Sequence, residues 1–521
     1  MQLHNETDFS FLFFSFFLMI SSFCAARPPK KIIINGYSSS VPCQVLTGSG
    51  KNGGGVVIAP RWVLTAGHLS ASTTWLKAGV TNRSQAGQQP GILTKIKHPT
   101  DDQGNNPSND LALYYLSEDL QYSPGLESIQ LASSANSSLW QPGQSADVSG
   151  FGNTASGQLS QTLQRVTVNI NSIDETNNKI LTVGPGTNDA CNGDSGGPLI
   201  SQNKLIGTVS STYDANNSGD LCGNGGKYMR VASYIPWIVK TIHENGTPNL
   251  VCGNTTFTNI DEMPDGCSMA WSASPSNLFT ETSGSDLTFT TAAASQASGA
   301  GVITLTIHTP EGSFPHTKSV WVGKPGSINL TTDGTFWING GMATICAGSG
   351  YCMTSAPNGI YNAGVTHFSY SGWPTYNAFS STSTQSIQSD RFCFGSNNTG
   401  QFYLTVYANN ACGTSSRGIA FNVTNCGYRV APNPATTTIN VEFEEPTKSE
   451  SLPDLVELFS EKTSKSVKAI KKAEGKEIID LTTGNKLGID VAKLPRGVYY
   501  LHLTFPKRKE NQTDKVRILL D

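Results

Sequence analysis

Three side chains have the types and the order for nucleophilic acyl transfer: His68, Asp110 and Ser195. The serine lies in Asp189-Ala190-Cys191-Asn192-Gly193-Asp194-Ser195-Gly196-Gly197-Pro198-Leu199, whose small residues let backbone N–H groups face whatever it attacks. A serine hydroxyl is a weak nucleophile at neutral pH and needs a base to take its proton. Imidazole suits that task because it titrates near neutrality. A carboxylate on the far ring nitrogen fixes the tautomer and stabilises the imidazolium. The negative tetrahedral intermediate needs prepositioned donors, and the N–H groups of Gly193 and Ser195 are the natural pair.

The elements around these residues must be short strands. Trp62-Val63-Leu64-Thr65-Ala66-Gly67-His68 is an apolar strand that ends in the histidine, and Asn109-Asp110-Leu111-Ala112-Leu113 starts another with the aspartate. Alternation of the kind in Val166-Thr167-Val168-Asn169-Ile170 recurs along the chain. One amphipathic helix is predicted from Val231 to Asn245, with Ile235, Ile238 and Ile242 on one face. Taken alone, Asp110 also fits a turn residue. Gly-Asp-Ser-Gly-Gly also fits the G-x-S-x-G elbow of α/β-hydrolases, but that fold expects the order Ser, acid, His on a strand–turn–helix. Here the order is His, Asp, Ser, and a β-rich run follows the serine.

From about Ile33 to Asn245 the sequence resembles the trypsin/chymotrypsin-like serine peptidases. Besides the three motifs, Ile33-Ile34-Asn35-Gly36-Tyr37 resembles their mature amino terminus. Val148-Ser149-Gly150-Phe151-Gly152 resembles their central Val-Ser-Gly-Trp-Gly, and Tyr228-Met229-Arg230-Val231 with Tyr234-Ile235-Pro236-Trp237-Ile238 resembles their last strand and closing helix. The resemblance implies a mainly β, two-barrel catalytic domain. It places Asp189 at the base of the pocket for the side chain before the scissile bond, with Gly226 on one wall and Val209-Ser210-Ser211-Thr212 on the other. A buried carboxylate there selects Arg or Lys. Thr212 stands where the family has glycine and Ser211 where it has an aromatic, so a narrower, non-basic pocket is the alternative. The resemblance further implies that a new N-terminus at Ile33 (or Ile32) pairs with Asp194, and that Cys191 and Cys222 form the bridge beside the pocket. The family's bridge next to the histidine is missing at both ends, where Leu69 and Gly53 stand, which leaves Cys43 without a family partner.

The 521 residues suggest several domains. Charged residues are only 14% and the net charge is −3, which speaks against a nucleic-acid partner. Phe9 to Phe23, followed by Cys24-Ala25-Ala26, reads as a signal peptide over 1–26, too short for a membrane span. A short propeptide over 27–32 and a peptidase domain over 33–245 follow. Segments 246–325 and 326–427 show short strands between frequent turns and resemble the Ig-like/PKD-like modules of secreted bacterial enzymes. They serve either as a stalk or as binding modules. Trp373, Tyr370 and Tyr376 fit a sugar platform or core packing. Cys346 and Cys352 read as disulfide cysteines rather than metal ligands. Segment 428–521 opens with Tyr428-Arg429-Val430-Ala431-Pro432-Asn433-Pro434 and ends with Leu494-Pro495-Arg496-Gly497-Val498-Tyr499-Tyr500 and a Lys515-led strand. It resembles the C-terminal sorting domain of the type IX secretion system. The expectation is therefore a secreted serine endopeptidase that needs no cofactor or metal. Its partners are protein or peptide substrates and the type IX machinery. A catalytically vestigial adhesin is the competing class.

Overall fold

The computed structural model describes residues 37–521 except 102–107, 155–156, 184–188, 216–221, 223, 247, 333–335, 337, 348–349, 358–366, 372–385, 388–390, 396–397, 445–451, 474–477, 479–484 and 506–511. The signal peptide, the propeptide, Ile33, Trp373 and Tyr376 lie outside the described residues.

Strands dominate, and they begin with two sheets that face each other across the candidate site. The first has six strands in the order Thr73–Ala78, Gln44–Ser49, Gly53–Ala59, Trp62–Thr65, Ala112–Leu116, Ile92–Lys97. Its end strands meet again where Lys95 Nζ donates to Thr73 O, closing a six-strand barrel. The second sheet has eight strands between Tyr37 and Arg230 and curls into a half-barrel. Strand Gln164–Asp174 shows why these residues form sheet: Val166, Val168 and Ile170 are buried while Thr167 and Asn169 are exposed, so the two-residue period matches one buried face.

The predicted helix divides in two. Val231–Tyr234 is a 3-10 turn, and the α-helix runs Ile235–Gly246. Pro236 stands in its first turn, where a missing N–H leaves no bond unmade. The buried face of the helix carries Ile235, Ile238, Val239 and Ile242.

That face does not pack on the peptidase alone. A five-stranded sheet follows, ordered Leu250–Val251, Gly312–Gly323, Ser298–Thr309, Ser268–Ser274, Ser283–Ser285. Its Met269, Trp271, Ile303 and Leu305 belong to the same hydrophobic cluster as the helix and as Leu64, Leu111 and Trp62 of the barrel. Further on, a three-stranded and a six-stranded sheet built from residues 328–424 enclose Phe336, Tyr351, Phe394 and Phe421. Two last sheets, of three and four strands between Tyr428 and Leu520, close around a separate cluster that includes Phe443, Leu501 and Ile518. Cys252–Cys412 and Cys346–Cys426 are disulfides, and Cys352 is disulfide-bonded as well, so Cys346 and Cys352 do not pair with each other. Among the described residues no helix is long and apolar enough to cross a membrane.

Candidate active site

His68 enters on a short 3-10 turn, Gly67–Leu69, at the end of strand Trp62–Thr65. Asp110 enters at the mouth of strand Ala112–Leu116. The residue before it, Asn109, has φ 55, a left-handed conformation that Asn tolerates better than most side chains. Tyr234 Oη donates to Asn109 Oδ1 at 2.9 Å, and Asn109 Nδ2 donates to Thr100 Oγ1 at 2.9 Å, which fixes this bend. The bend turns the Asp110 carboxylate onto His68. Oδ2 lies 2.9 Å from His68 Nδ1, and Oδ1 accepts the His68 backbone N–H at 2.8 Å. Ser210 Oγ donates to the same Oδ2 at 2.7 Å. Burial pushes the Asp110 carboxyl up, but the bonds from His68 and Ser210 outweigh it and hold it below the usual carboxylate range. Asp110 is fully buried while His68 is partly exposed, so the ring presents its other nitrogen toward the open side.

That open side is a cavity of about 410 Å³ lined by His68, Gly193 and Ser195 together with Lys51, Asn52, Leu69, Asn153, Leu159 and Asn192. The nucleophile loop is pinned from both barrels: Gly54 N donates to Ser195 O at 2.8 Å, and Gly196 N donates to Val209 O at 2.8 Å. Gly193 and Gly196 have φ of +96 and +78, which L side chains rarely adopt. A Cβ on Gly193 would also lie 3.0 Å from Gly152 Cα. Leu69 fills the space beside Gly53, where a Cβ would lie 2.5 Å from Leu69 Cδ1. Apolar packing thus stands in the place where the family carries its second bridge. Cys43 is buried and free, and burial pushes its thiol up to about 12.

Asp194 is fully buried behind the loop. Its Oδ1 accepts Gly152 N at 2.7 Å and its Oδ2 accepts Cys191 N at 3.0 Å. Burial pushes its carboxyl up to about 6, Asp189 adds to the rise, and Arg83 opposes it. Cys191 and Cys222 are disulfide-bonded.

Asp189 is also fully buried. Tyr228 Oη donates to Oδ1 at 2.6 Å, Ala190 N to Oδ1 at 2.7 Å, and Thr182 Oγ1 to Oδ2 at 2.7 Å. Burial pushes its carboxyl up against these donors. Gly226 touches this group closely; a Cβ there would lie 2.6 Å from Asp189 Oδ1. Thr212 is half-buried and pairs with Gly226 across the ladder. Sequence reasoning missed Tyr228 and Thr182, and it did not foresee that Ser210, expected on the pocket wall, turns its hydroxyl to Asp110. Tyr228 lay within a quoted motif, but nothing in its spacing signalled a bond to a residue 39 positions away.

Residues 33–238 match the Trypsin family, and residues 429–518 match the secretion system C-terminal sorting domain. Trypsin beta of Drosophila erecta is 33% identical over 223 residues, 39% of this chain and 83% of that protein. Human kallikrein-4 is 32% identical over 206 residues, 36% of this chain and 76% of that protein. Among solved structures, neuropsin, described as a serine protease expressed in the limbic system of mouse brain, is 27% identical with a TM-score of 0.35, covering 40% of this chain and 98% of its own. The chain belongs to the trypsin family. It is a trypsin-like serine endopeptidase, and it ends in a type IX sorting domain that marks it as a secreted or cell-surface protein.

Proposed function

We propose that Ser195 is the nucleophile, His68 the general base and then the general acid, and Asp110 the residue that orients and stabilises the imidazolium. Ser195 Oγ attacks the scissile carbonyl carbon as His68 takes its proton. The carbonyl oxygen becomes an oxyanion held by the N–H groups of Gly193 and Ser195. Collapse breaks the C–N bond, His68 protonates the leaving amine, and an acyl-Ser195 remains. Water, deprotonated by His68, then hydrolyses the acyl group and restores the hydroxyl. The observation that carries this reading is the two-point hold of Asp110 on His68, 2.9 Å to Nδ1 and 2.8 Å from the backbone N–H.

Asp189 gives a preference for Arg or Lys before the scissile bond, since a basic side chain supplies the counter-charge its neutral donors lack. Removal of the residues before Ile33 frees an α-amine that pairs with Asp194 and orders the loop. A pocket restricted to smaller side chains is the second reading, favoured by Thr212 opposite Gly226. Small peptide substrates with Lys/Arg or with Phe/Leu/Ala before the cleaved bond, assayed with the wild type and Ser195→Ala, test both points. The expected result is cleavage after Lys/Arg that Ser195→Ala abolishes. Retained hydrolysis in Ser195→Ala contradicts the mechanism, and cleavage only after small side chains selects the second reading. In that case Thr212→Gly raises kcat/KM for Arg substrates.

A further inference from the structure

We infer that Arg83 is a positioning residue for the oxyanion loop, acting from the first barrel on the second. This rests on the reading of Gly193 and Ser195 as the oxyanion donors. Arg83 belongs to the turn between strands Thr73–Ala78 and Ile92–Lys97, far in sequence from the nucleophile. That turn is prepared for it: Gln85 Oε1 accepts the N–H groups of Thr81 at 2.6 Å and Asn82 at 3.0 Å, and Arg83 N donates to Gln161 O at 2.9 Å.

From there the guanidinium crosses to the loop that follows strand Ser145–Gly150. Nε donates to Ser160 O at 2.8 Å and Nη2 to Phe151 O at 2.9 Å, while the group lies 5.5 Å from the centre of the Phe151 ring. The two carbonyls are the two ends of one loop, and Arg83 ties them together. Inside that clamp, Ser160 N donates to Gly152 O at 3.0 Å, and Gly152 N donates to Asp194 Oδ1 at 2.7 Å. Asn153 N donates to Asn192 O at 2.8 Å. Leu159, from the same loop, lines the cavity with Gly193. The bonds made to Asn192 and Asp194, the residues on either side of Gly193, thus include two from the clamped loop, beside the holds that Gly54 and Val209 place on Ser195 and Gly196. The guanidinium also favours the ionised Asp194 carboxylate electrostatically, against the like charge of Asp189.

The fork geometry matters as much as the charge. Two parallel N–H donors from one planar group fix both carbonyls, which an ammonium cannot reproduce. A shifted Gly193 N–H weakens transition-state binding with little effect on substrate binding, so the loss falls on kcat.

The test uses the full secreted protein and counts competent active sites with an ester burst titrant. In Arg83→Ala, kcat per titrated site for a peptide substrate is expected to fall about tenfold or more, by comparison with deletion of an oxyanion donor, while KM stays within about twofold. Arg83→Lys recovers only part of the loss. A merely structural role would lower the titrated fraction and the Tm but leave kcat per titrated site unchanged, and that result overturns the inference. If Arg83→Ala does not fold, Arg83→Gln, which keeps one donor, is read the same way. Activity that survives in Ser195→Ala sinks the reading of the site itself, whereas an unchanged kcat per titrated site in the Arg83 variants sinks only the role of Arg83.

Discussion

Asp189 is a buried carboxyl held by neutral donors, and its environment is tuned by single hydroxyls. Tyr228→Phe removes one of them. Burial already holds the Asp189 carboxyl up, and losing a donor to the ionised form raises it further. In the proposed Arg/Lys pocket, the ionised form is the one that pairs with a basic substrate. The expected outcome is a KM for Arg substrates that worsens at a higher pH than in the wild type, with kcat at high pH nearly unchanged; a pH series of KM checks it. Asp110→Asn, which permits the wrong histidine tautomer, should lower kcat on the order of 10⁴-fold with the fold intact, as circular dichroism and steady-state kinetics would report. The motif residues at this scale were legible because the chemistry demands their types and order. Tyr228 and the bond from Ser210 were not, because each reaches its partner only after strands distant in sequence are laid side by side, and Thr182, seven residues before Asp189, carries no motif that marks it. Arg83 was invisible because it too reaches its partners only across strands distant in sequence.

At the scale of elements, the helix Ile235–Gly246 was readable from its periodicity, but what it packs against was not. His243 on this helix is fully buried, stacks edge-on to Trp271 at 5.5 Å and has Nε2 3.1 Å from Ile303 O. Burial, with Lys318 and His316 nearby, pushes its imidazole down from 6.5 to about 4. The unfolded chain therefore binds the proton more readily than the folded one between those values. Stability contributed by neutral His243 is present above pH 6.5 and is lost as pH falls toward 4. Thermal unfolding followed from pH 7 to 4 should show a falling Tm, and His243→Gln should flatten that slope. Asp194, pushed up to about 6, has the opposite sign, so the His243 contribution is read from the difference between wild type and variant.

At the scale of the whole molecule, the strand-and-turn pattern of 246–325 left a stalk or a binding module open, and the structure packs this segment against the peptidase. Asp265 accepts from Asn136 Nδ2 at 2.8 Å and pairs with Lys204 Nζ at 3.0 Å. Lys318 Nζ donates to Glu244 O at 2.7 Å, and Asn259 Nδ2 donates to Val239 O at 3.0 Å. The shared hydrophobic cluster runs beneath these bonds. Alternation reveals that a strand has a buried face but not which neighbour buries it, so this union could not be read from the chain. Ending the protein after Gly246 should expose that cluster and lower the Tm of the peptidase, and Tyr234, just before the helix, transmits the loss to Asn109 beside Asp110. Removing 428–521, whose core is separate, should leave kcat/KM unchanged while abolishing export. Activity and Tm of the two truncations, side by side, check both statements.

The most direct test of the central claim is mass spectrometry of the secreted protein after reaction with a fluorophosphonate. One adduct is expected, on Ser195, and none in His68→Ala on the same timescale. No adduct, or an adduct on another serine with hydrolysis intact in Ser195→Ala, would contradict it.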